Sequence, residues 1–251
     1  MIAAAELAEL GRPPVGLRGR VTSDLPVGSG LSSSAALEVA VAIALCEAAS
    51  FELPPIELAL ACQRAELRAV GVPCGILDQA ASILGRKGHA IRLDCGTLEH
   101  SLVPLSRAAG FVVVDSGVER GAGASLADSG YAERRRELEA AMAAVGAERS
   151  TTVHPDALDV LEGISLRRLR HVVTENARVD RFRHELAAGD LEAAGRTLTE
   201  SHASLRDDYE VSVPEVDRLV EIAVDEGAVG ARMTGGGFGG CAIALVHPSA
   251  V

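Results

Sequence analysis

The sequence predicts an α+β fold built in two lobes. Helical and strand-like segments are interspersed along the 251 residues, and several strand-like segments come in neighbouring pairs typical of antiparallel hairpins. Apolar residues make up 48% of the chain, which is enough for a sizeable core. Because aromatic residues make up 2%, that core must consist of Ala, Val, Leu and Ile. A boundary near residues 106–110 gives predicted lobes at 1–106 and 107–251.

The predicted first lobe begins with a short helix at 2–10, which Gly11 and two prolines end. Apolar and polar residues then alternate over 15–26, and this pattern predicts a strand. The remaining predicted elements of this lobe are helices at 32–49, at 54–70 and in the second half of 71–85, followed by strands at 89–95 and 99–105.

The predicted second lobe opens with a buried strand at 110–117, where the apolar run is continuous. A glycine-rich loop at 117–130 leads to a charged helix at 131–145, whose charges are expected to form a solvated face with pairs four residues apart. The remaining predicted elements are helices within 154–205, a helix at 213–227, and strands at 228–233 and 241–246.

Composition narrows the class of ligand. The net charge of −11 argues against binding nucleic acid or an anionic membrane through bulk charge, although a backbone site for a small anion needs no positive net charge.

The first residues lack the pattern of a signal peptide, and no apolar run of about 18 residues is free of charges. The five cysteines and seven histidines show no metal-ligand spacing. We therefore expect a cytoplasmic monomer with small-molecule ligands.

A Gly-Ser-Gly-Leu-Ser-Ser-Ser stretch, residues 28–34, leads into the helix predicted at 32–49. Free backbone N–H groups and the positive end of the helix dipole make such a helix start an anion site. Gly28 and Gly30 let the backbone approach a phosphate, and the hydroxyls of Ser32, Ser33 and Ser34 are suited to capping the helix or binding Mg²⁺. The stretch lacks the lysine of a Walker A loop and the third glycine of a dinucleotide fingerprint. A phosphate loop and a plain capped helix both stay open.

A second glycine-rich segment, Thr-Gly-Gly-Gly-Phe-Gly-Gly, occupies residues 234–240 between two predicted strands. Glycine is used where a backbone passes close to another backbone or to a ligand. The segment is therefore either a mobile hairpin loop or a loop that packs near the phosphate loop.

Two carboxylates stand out near the fourth predicted helix, in the second half of 71–85. Asp78 lies near its start, where it either complements the helix dipole or serves as a general base toward a substrate hydroxyl. Glu66 lies on the preceding helix, either on a solvated face or as the carboxylate that completes a Mg²⁺ site.

Together these segments resemble the GHMP small-molecule kinases, and among them the galactokinases, over nearly the whole chain. The stretch LPVGSGLSSSAALEVA is similar to the family's nucleotide-phosphate loop, and MTGGGFGGCAIALV is similar to its third, glycine-rich motif. Three further stretches are specific to the galactokinase branch: GVPCGILDQAASILGRKGHAIRLDC, RHVVTEN and SHASLRDDYEVSVPEVD. The resemblance implies a two-lobed α+β fold with an incomplete N-terminal lobe and a ferredoxin-like C-terminal lobe.

The resemblance also implies ATP and galactose as ligands, with Mg²⁺ accompanying ATP. It implies that Asp78 accepts the proton of the sugar C1 hydroxyl, that Ser34 and Glu66 bind Mg²⁺, and that Gly75, Asp78 and Tyr131 contact galactose. The residues implied to hold the ATP phosphates are Gly28, Ser29, Gly30, Leu31, Ser32, Ser33 and Ser34. The residues implied to support that loop are Gly235, Gly236, Gly237, Gly239 and Gly240.

The sequence departs from the family pattern at its two ends. The family's first motif, which supplies a charge-stabilising arginine and part of the sugar pocket, has no match, and the chain stops soon after the third motif. We therefore expect a galactokinase chain truncated at both ends, inactive or weakly active by itself. The alternatives are another GHMP kinase, or a non-catalytic sensor that binds ATP and galactose.

Overall fold

The computed structural model describes residues 2–25, 31–71, 74–118 and 130–248. It forms two compact units, residues 1–103 and 104–251, and each unit has cores of its own. Helices and small sheets alternate along the chain, which confirms the predicted α+β class. The predicted lobe boundary at 106/107 stays a prediction. Among the described residues, no helix combines the length and apolar character needed to cross a bilayer.

The first unit is mainly helical. Its elements are α1 (Ile2–Glu9), α2 (Ser33–Ala48), α3 (Pro55–Val70), α4 (Leu77–Leu84), β1 (His89–Leu93) and β2 (His100–Pro104), the last ending at the unit boundary. Helices α1, α2 and α3 share one core, in which Leu7, Val39 and Cys62 are almost fully buried. A second core joins α3 to α4 through Ala59, Ile76 and Ala80. This packing fixes α4 against α3, and both helices carry site residues.

The strand predicted over 15–26 does not form. Residues 12–24 adopt no helix or strand, and residues 26–30 lie outside the described part of the chain. A strand needs a hydrogen-bonded neighbour and a face to bury, whereas Val15, Leu17 and Val21 are 41%, 52% and 65% exposed. The alternating pattern was therefore not sufficient to specify a strand.

The second unit contains an antiparallel sheet with helices packed on it. Its elements are β3 (Gly110–Asp115), α5 (Gly130–Ala144), two short 3₁₀ turns (Ser150–Thr152 and Pro155–Val160), α6 (Gly163–Ala188), α7 (Leu191–Asp207), α8 (Pro214–Asp225), β4 (Gly230–Met233) and β5 (Cys241–Val246). The strand order is β3-β5-β4, so β5 is central. Its register pairs Ala242 with Val114 on one side and with Met233 on the other.

The sheet packs on both faces. Neighbouring residues of β5 point to opposite faces: Leu245 belongs to a core with α6 and α7, whereas Ala244 belongs to a core with α8. Helix α7 approaches β4 so closely that a Cβ added to Gly195 would lie 2.1 Å from the carbonyl oxygen of Val229. Glycine at this position therefore permits the contact between α7 and the start of β4.

The prediction that 110–117 is a buried strand was correct for a strand over Gly110–Asp115 but not for its burial, since its first three residues are half-buried and its last three are exposed. Val113 and Val114 are 46% and 37% exposed. Because β3 is an edge strand with β5 on one side only, its later residues are less covered than those of the central strand.

Candidate phosphotransfer site

Helix α2 of the first unit begins without a side-chain cap from its N-cap residue. Ser32 occupies the N-cap position in the left-handed conformation, with φ at 55°, and its side chain makes no capping hydrogen bond. The capped-helix interpretation of the serine run is therefore not supported at Ser32. Leu31, Ser32, Ser33 and Ser34 are described and at least partly exposed, whereas Gly28, Ser29 and Gly30 lie outside the described residues.

Ser34 and Glu66 lie next to each other although 31 residues separate them in the sequence. The Ser34 hydroxyl, in the first turn of α2, donates a hydrogen bond of 2.9 Å to Oε1 of Glu66 on α3. The structure thus brings together the two residues proposed from sequence as Mg²⁺ ligands. The alternative of a merely solvated Glu66 does not account for these contacts.

Gln79 holds the other oxygen of Glu66. This side chain is fully buried, and its Nε2 donates a hydrogen bond of 2.6 Å to Oε2 of Glu66. Gln79 belongs to one of the galactokinase-like stretches, but no local pattern in the sequence indicates its contact across 13 residues. The amide fixes the orientation of the carboxylate and ties α4 to α3.

Asp78 is the neighbour of Gln79 in the first turn of α4. Successive helical residues point about 100° apart, so when Gln79 turns inward to Glu66, Asp78 points elsewhere and is exposed. A second tie holds the segment before this helix, where Nε2 of Gln63 donates to the carbonyl oxygen of Cys74 at 2.9 Å. Gly75, which follows, is exposed. The backbone around Asp78 is thus fixed to α3 while its carboxylate is open to a ligand.

Glu38 adds a second carboxyl group one turn after Ser34. Burial, then the negative charge of Glu66, raises the pKa of Glu38 to about 7, while a hydrogen bond with Gln79 acts in the opposite direction. Burial and the same Glu66 charge raise the pKa of Cys74 to about 11, so this thiol is not a ready nucleophile. The local field is therefore negative and suited to a cation.

The donor set fits a magnesium ion shared with a nucleotide. Mg²⁺ prefers oxygen ligands and usually keeps several waters and substrate phosphates, so a few protein oxygens are enough. Ser34 and Glu66 supply a hydroxyl and a carboxylate at the foot of the α2 terminus. In the described residues no group of three or more His, Cys, Asp or Glu side chains is placed to hold a metal by itself.

The glycine-rich loop of the second unit is tightly packed. Its backbone is held by hydrogen bonds from Phe238 N to Val211 O at 2.7 Å and from Gly240 N to Val118 O at 3.2 Å. A Cβ on Gly237 would lie 2.5 Å from Val211 O, and one on Gly239 would lie 2.6 Å from Val118 O. The glycines therefore allow close backbone approaches, and the mobile-hairpin alternative does not fit this geometry.

Tyr131 lies beside this loop. It is the second residue of α5, and its ring lies 3.4 Å from the position that a Cβ on Gly236 would occupy. Gly235, Gly237, Gly239 and Gly240 have positive φ, as does Phe238 at 60°. Two predicted groups, the supporting glycines and the galactose-contacting tyrosine, are thus neighbours within the second unit.

Known proteins match both parts of the chain. The model of the GHMP kinases N terminal domain matches residues 1–86, and the model of the GHMP kinases C terminal matches residues 182–251. A galactokinase of Thermococcus kodakarensis is 46% identical over 232 residues, which cover 92% of this chain and 65% of that protein. The chain therefore spans just under two thirds of the length of this curated relative.

Solved structures agree with these matches. Lactococcus lactis galactokinase, crystallised with galactose, is 34% identical with a TM-score of 0.85, covering 98% of this chain and 66% of that one. Streptococcus pneumoniae phosphomevalonate kinase is 14% identical with a TM-score of 0.67, covering 99% of this chain and 75% of that one, and at this identity it indicates the fold alone. With both family domains matched in order, the chain belongs to the GHMP kinase family and is similar to its galactokinases.

Proposed function

We propose that the chain carries the phosphotransfer site of a galactokinase, which moves the γ-phosphoryl group of ATP to the C1 hydroxyl of galactose. The observation that carries the proposal is the array in which Ser34 and Gln79 hold the two oxygens of Glu66, next to Asp78 on the same helix as Gln79. Sugar specificity is proposed from the 46% identical galactokinase and from the galactose complex of a 34% identical one.

Each group in the proposal has one task. The open N–H groups at the start of α2, together with the preceding glycines, bind the ATP phosphates. Ser34 and Glu66 would hold Mg²⁺, which would neutralise part of the charge on the transferring phosphoryl group. Gly75 and Tyr131 contact the sugar, and the glycines at 235–240 support the phosphate loop.

Asp78 performs the proton transfer. Its carboxylate takes the proton of the C1 hydroxyl, and that oxygen forms a bond to the γ-phosphorus as the bond to the ADP oxygen breaks. The products are galactose 1-phosphate and ADP, with the proton on Asp78 until solvent removes it. The exposure of Asp78 in the first turn of α4 is consistent with this access to a ligand.

We expect the chain by itself to be inactive or weakly active, so the deciding experiment uses a version extended upstream to the next in-frame start. It measures galactose-dependent ADP release and identifies the product by ³¹P NMR. We expect Asp78→Asn to lower kcat by roughly 10²–10⁴-fold while Mg·ATP binding, measured by calorimetry, is kept. The matched control is Glu57→Gln, since Glu57 is also a first-turn acid, on α3, and serves the dipole without a catalytic task.

The other outcomes separate the alternatives. If kcat falls equally in both variants, Asp78 only complements the helix dipole and is not the base. Turnover of mevalonate or homoserine in place of galactose would indicate another GHMP kinase. Binding of galactose and Mg·ATP without product formation by the full-length protein would indicate a sensor. We also propose that the protein acts as a monomer in the cytoplasm, which light scattering and fractionation test directly.

A further inference from the structure

Two stretches that resemble the galactokinase branch have no role in the proposed phosphotransfer. They are residues 170–176 on α6 and residues 201–217, which run from α7 into α8. In the structure both reach the end of β4, where the glycine-rich loop begins. The contact from Phe238 N to Val211 O already ties the second stretch to the middle of the loop.

Met233 is the last residue of β4 and directly precedes the loop. Its N–H donates to Nδ1 of His202 at 3.3 Å, and its carbonyl oxygen accepts from Nε of Arg232 at 2.9 Å. The side chain of Arg232 is itself held at 2.8 Å by Glu175 and by Ser201, which belong to the two stretches. Side chains thus hold both polar backbone groups of Met233.

The contacts of His202 specify one form of its ring. His202 is 4% exposed, and because Nδ1 accepts the Met233 N–H, the ring proton lies on Nε2. Nε2 lies 3.1 Å from Oδ1 of Asp217 on α8, and the Ser212 hydroxyl donates to that same oxygen at 2.5 Å. Asp217 therefore lies beside Nε2, which makes no hydrogen bond of good geometry, while Nδ1 accepts from the backbone.

We propose that His202, buried beside Asp217, is a positioning residue that fixes the backbone of Met233 and thereby the start of the glycine-rich loop. This role rests on the proposed function, in which the glycine-rich loop at 234–240 supports the phosphate loop. A buried histidine with a merely structural task exists nearby for comparison: His171 is 6% exposed, its Nδ1 bonds to Ser204 at 3.0 Å, and its ring stacks on Tyr209.

The first experiment measures amide hydrogen exchange at Met233 and in the loop by NMR, without substrate. We expect His202→Ala to accelerate exchange at Met233 about tenfold, since one hydrogen bond is lost. His202→Asn should restore slow exchange to within about twofold, because the Asn amide oxygen can accept the same N–H. His171→Asn is the matched control and should leave the Met233 amide unchanged.

The second experiment uses the unsubstituted protein, so it does not depend on a variant that folds. With ¹⁵N-labelled histidine, Nδ1 of His202 should show the signal of an unprotonated ring nitrogen and Nε2 that of a protonated one. The reverse pattern, or unchanged Met233 exchange in His202→Ala, would overturn the proposal.

Steady-state kinetics of the version extended upstream then test whether the positioning role of His202 affects phosphotransfer. His202→Ala should raise KM for ATP several-fold more than KM for galactose. His171→Asn should change the two KM values by the same factor. If exchange changes as expected but the substrate measured above is not galactose, the positioning of the loop stands and the proposed function fails. If exchange does not change, the positioning task fails whatever the substrate is.

Discussion

The two units each contain a buried charge in an ion-pair cluster, but the sign of the buried charge is opposite. In the first unit the Glu6 side chain is 1% exposed, whereas its partners Arg64 and Arg68 are 42% and 48% exposed. In the second unit the Arg168 side chain is 1% exposed, whereas its partners Glu137 and Glu210 are 20% and 40% exposed.

The cost of breaking such an ion pair depends on which partner is buried. Glu6 is reached by two long arginine side chains whose heads stay half in water, so their charges remain solvated if Glu6 is lost. Arg168 instead distributes its donors over Glu137, Glu210 and the carbonyl oxygen of Asp208. Loss of Arg168 removes this donor from the Asp208 carbonyl oxygen and leaves Glu137 and Glu210 with their other arginine partners, Arg134 and Arg167.

The largest expected effect is therefore at Arg168. We expect Arg168→Met to lower the free energy of unfolding of the second unit by about 4 kcal/mol, since it breaks a buried charge cluster and leaves the Asp208 carbonyl without this donor. Tyrosine fluorescence in a urea titration measures it, because the chain has no Trp and its 2 tyrosines, Tyr131 and Tyr209, both lie in this unit.

Arg167→Met is the matched control for this substitution. Arg167 is the preceding residue, its side chain is 36% exposed, and its ion pair with Glu210 spans 3.1 Å. We expect a loss of less than about 1 kcal/mol, because exposed pairs contribute little. Equal losses in the two variants would contradict the importance of burial in this comparison.

The second-largest expected effect is a fall in the stability of the second unit at low pH, caused by His171. Burial lowers the pKa of His171 to about 4, with smaller opposing contributions led by the negative charge of Glu175. Between pH 6.5 and about 4 the unfolded chain binds the proton and the folded chain does not, so stability falls as the pH falls. The loss should reach about 3 kcal/mol at pH 4.

Urea titrations of the parent and of His171→Asn at several pH values isolate this contribution, because other groups titrate in both proteins. The difference between the two free energies should change with pH below 6.5 and stay constant above it. A difference that is independent of pH would show that His171 titrates normally in the folded chain.

Helix positions were largely predictable from the sequence, and long-range polar contacts were not. The helices over α2, α3 and α8 follow from apolar periodicity, glycine and proline, which act within a few residues. The stretch 131–145 was expected to expose its charges, and Arg135 does pair with Glu139 four residues on. Arg134, however, is 16% exposed and reaches Glu210, which is 76 residues away.

The candidate site shows the same limit. Ser34, Glu66 and Asp78 could be proposed because they lie in recognisable stretches. The tasks of Gln79 and His202 could not, because each depends on which helix or strand end packs beside it. The strand expected at 15–26 failed for the related reason that alternation describes one segment, whereas a strand requires a partner.

The smallest predicted effect completes the comparison in the first unit. We expect Glu6→Gln to lower the free energy of unfolding by about 1–2 kcal/mol, because two charge-assisted contacts, with Arg64 at 2.9 Å and Arg68 at 2.8 Å, are weakened while both arginines keep access to water. Hydrogen exchange followed by mass spectrometry, read on peptides from α1 and α3, measures the change locally.

Glu9→Gln is the matched control, since Glu9 lies on the same helix with its side chain 60% exposed and also pairs with Arg68. It should leave exchange in α1 unchanged. If Glu6→Gln costs as much as Arg168→Met, the sign of the buried charge is irrelevant and only burial itself decides.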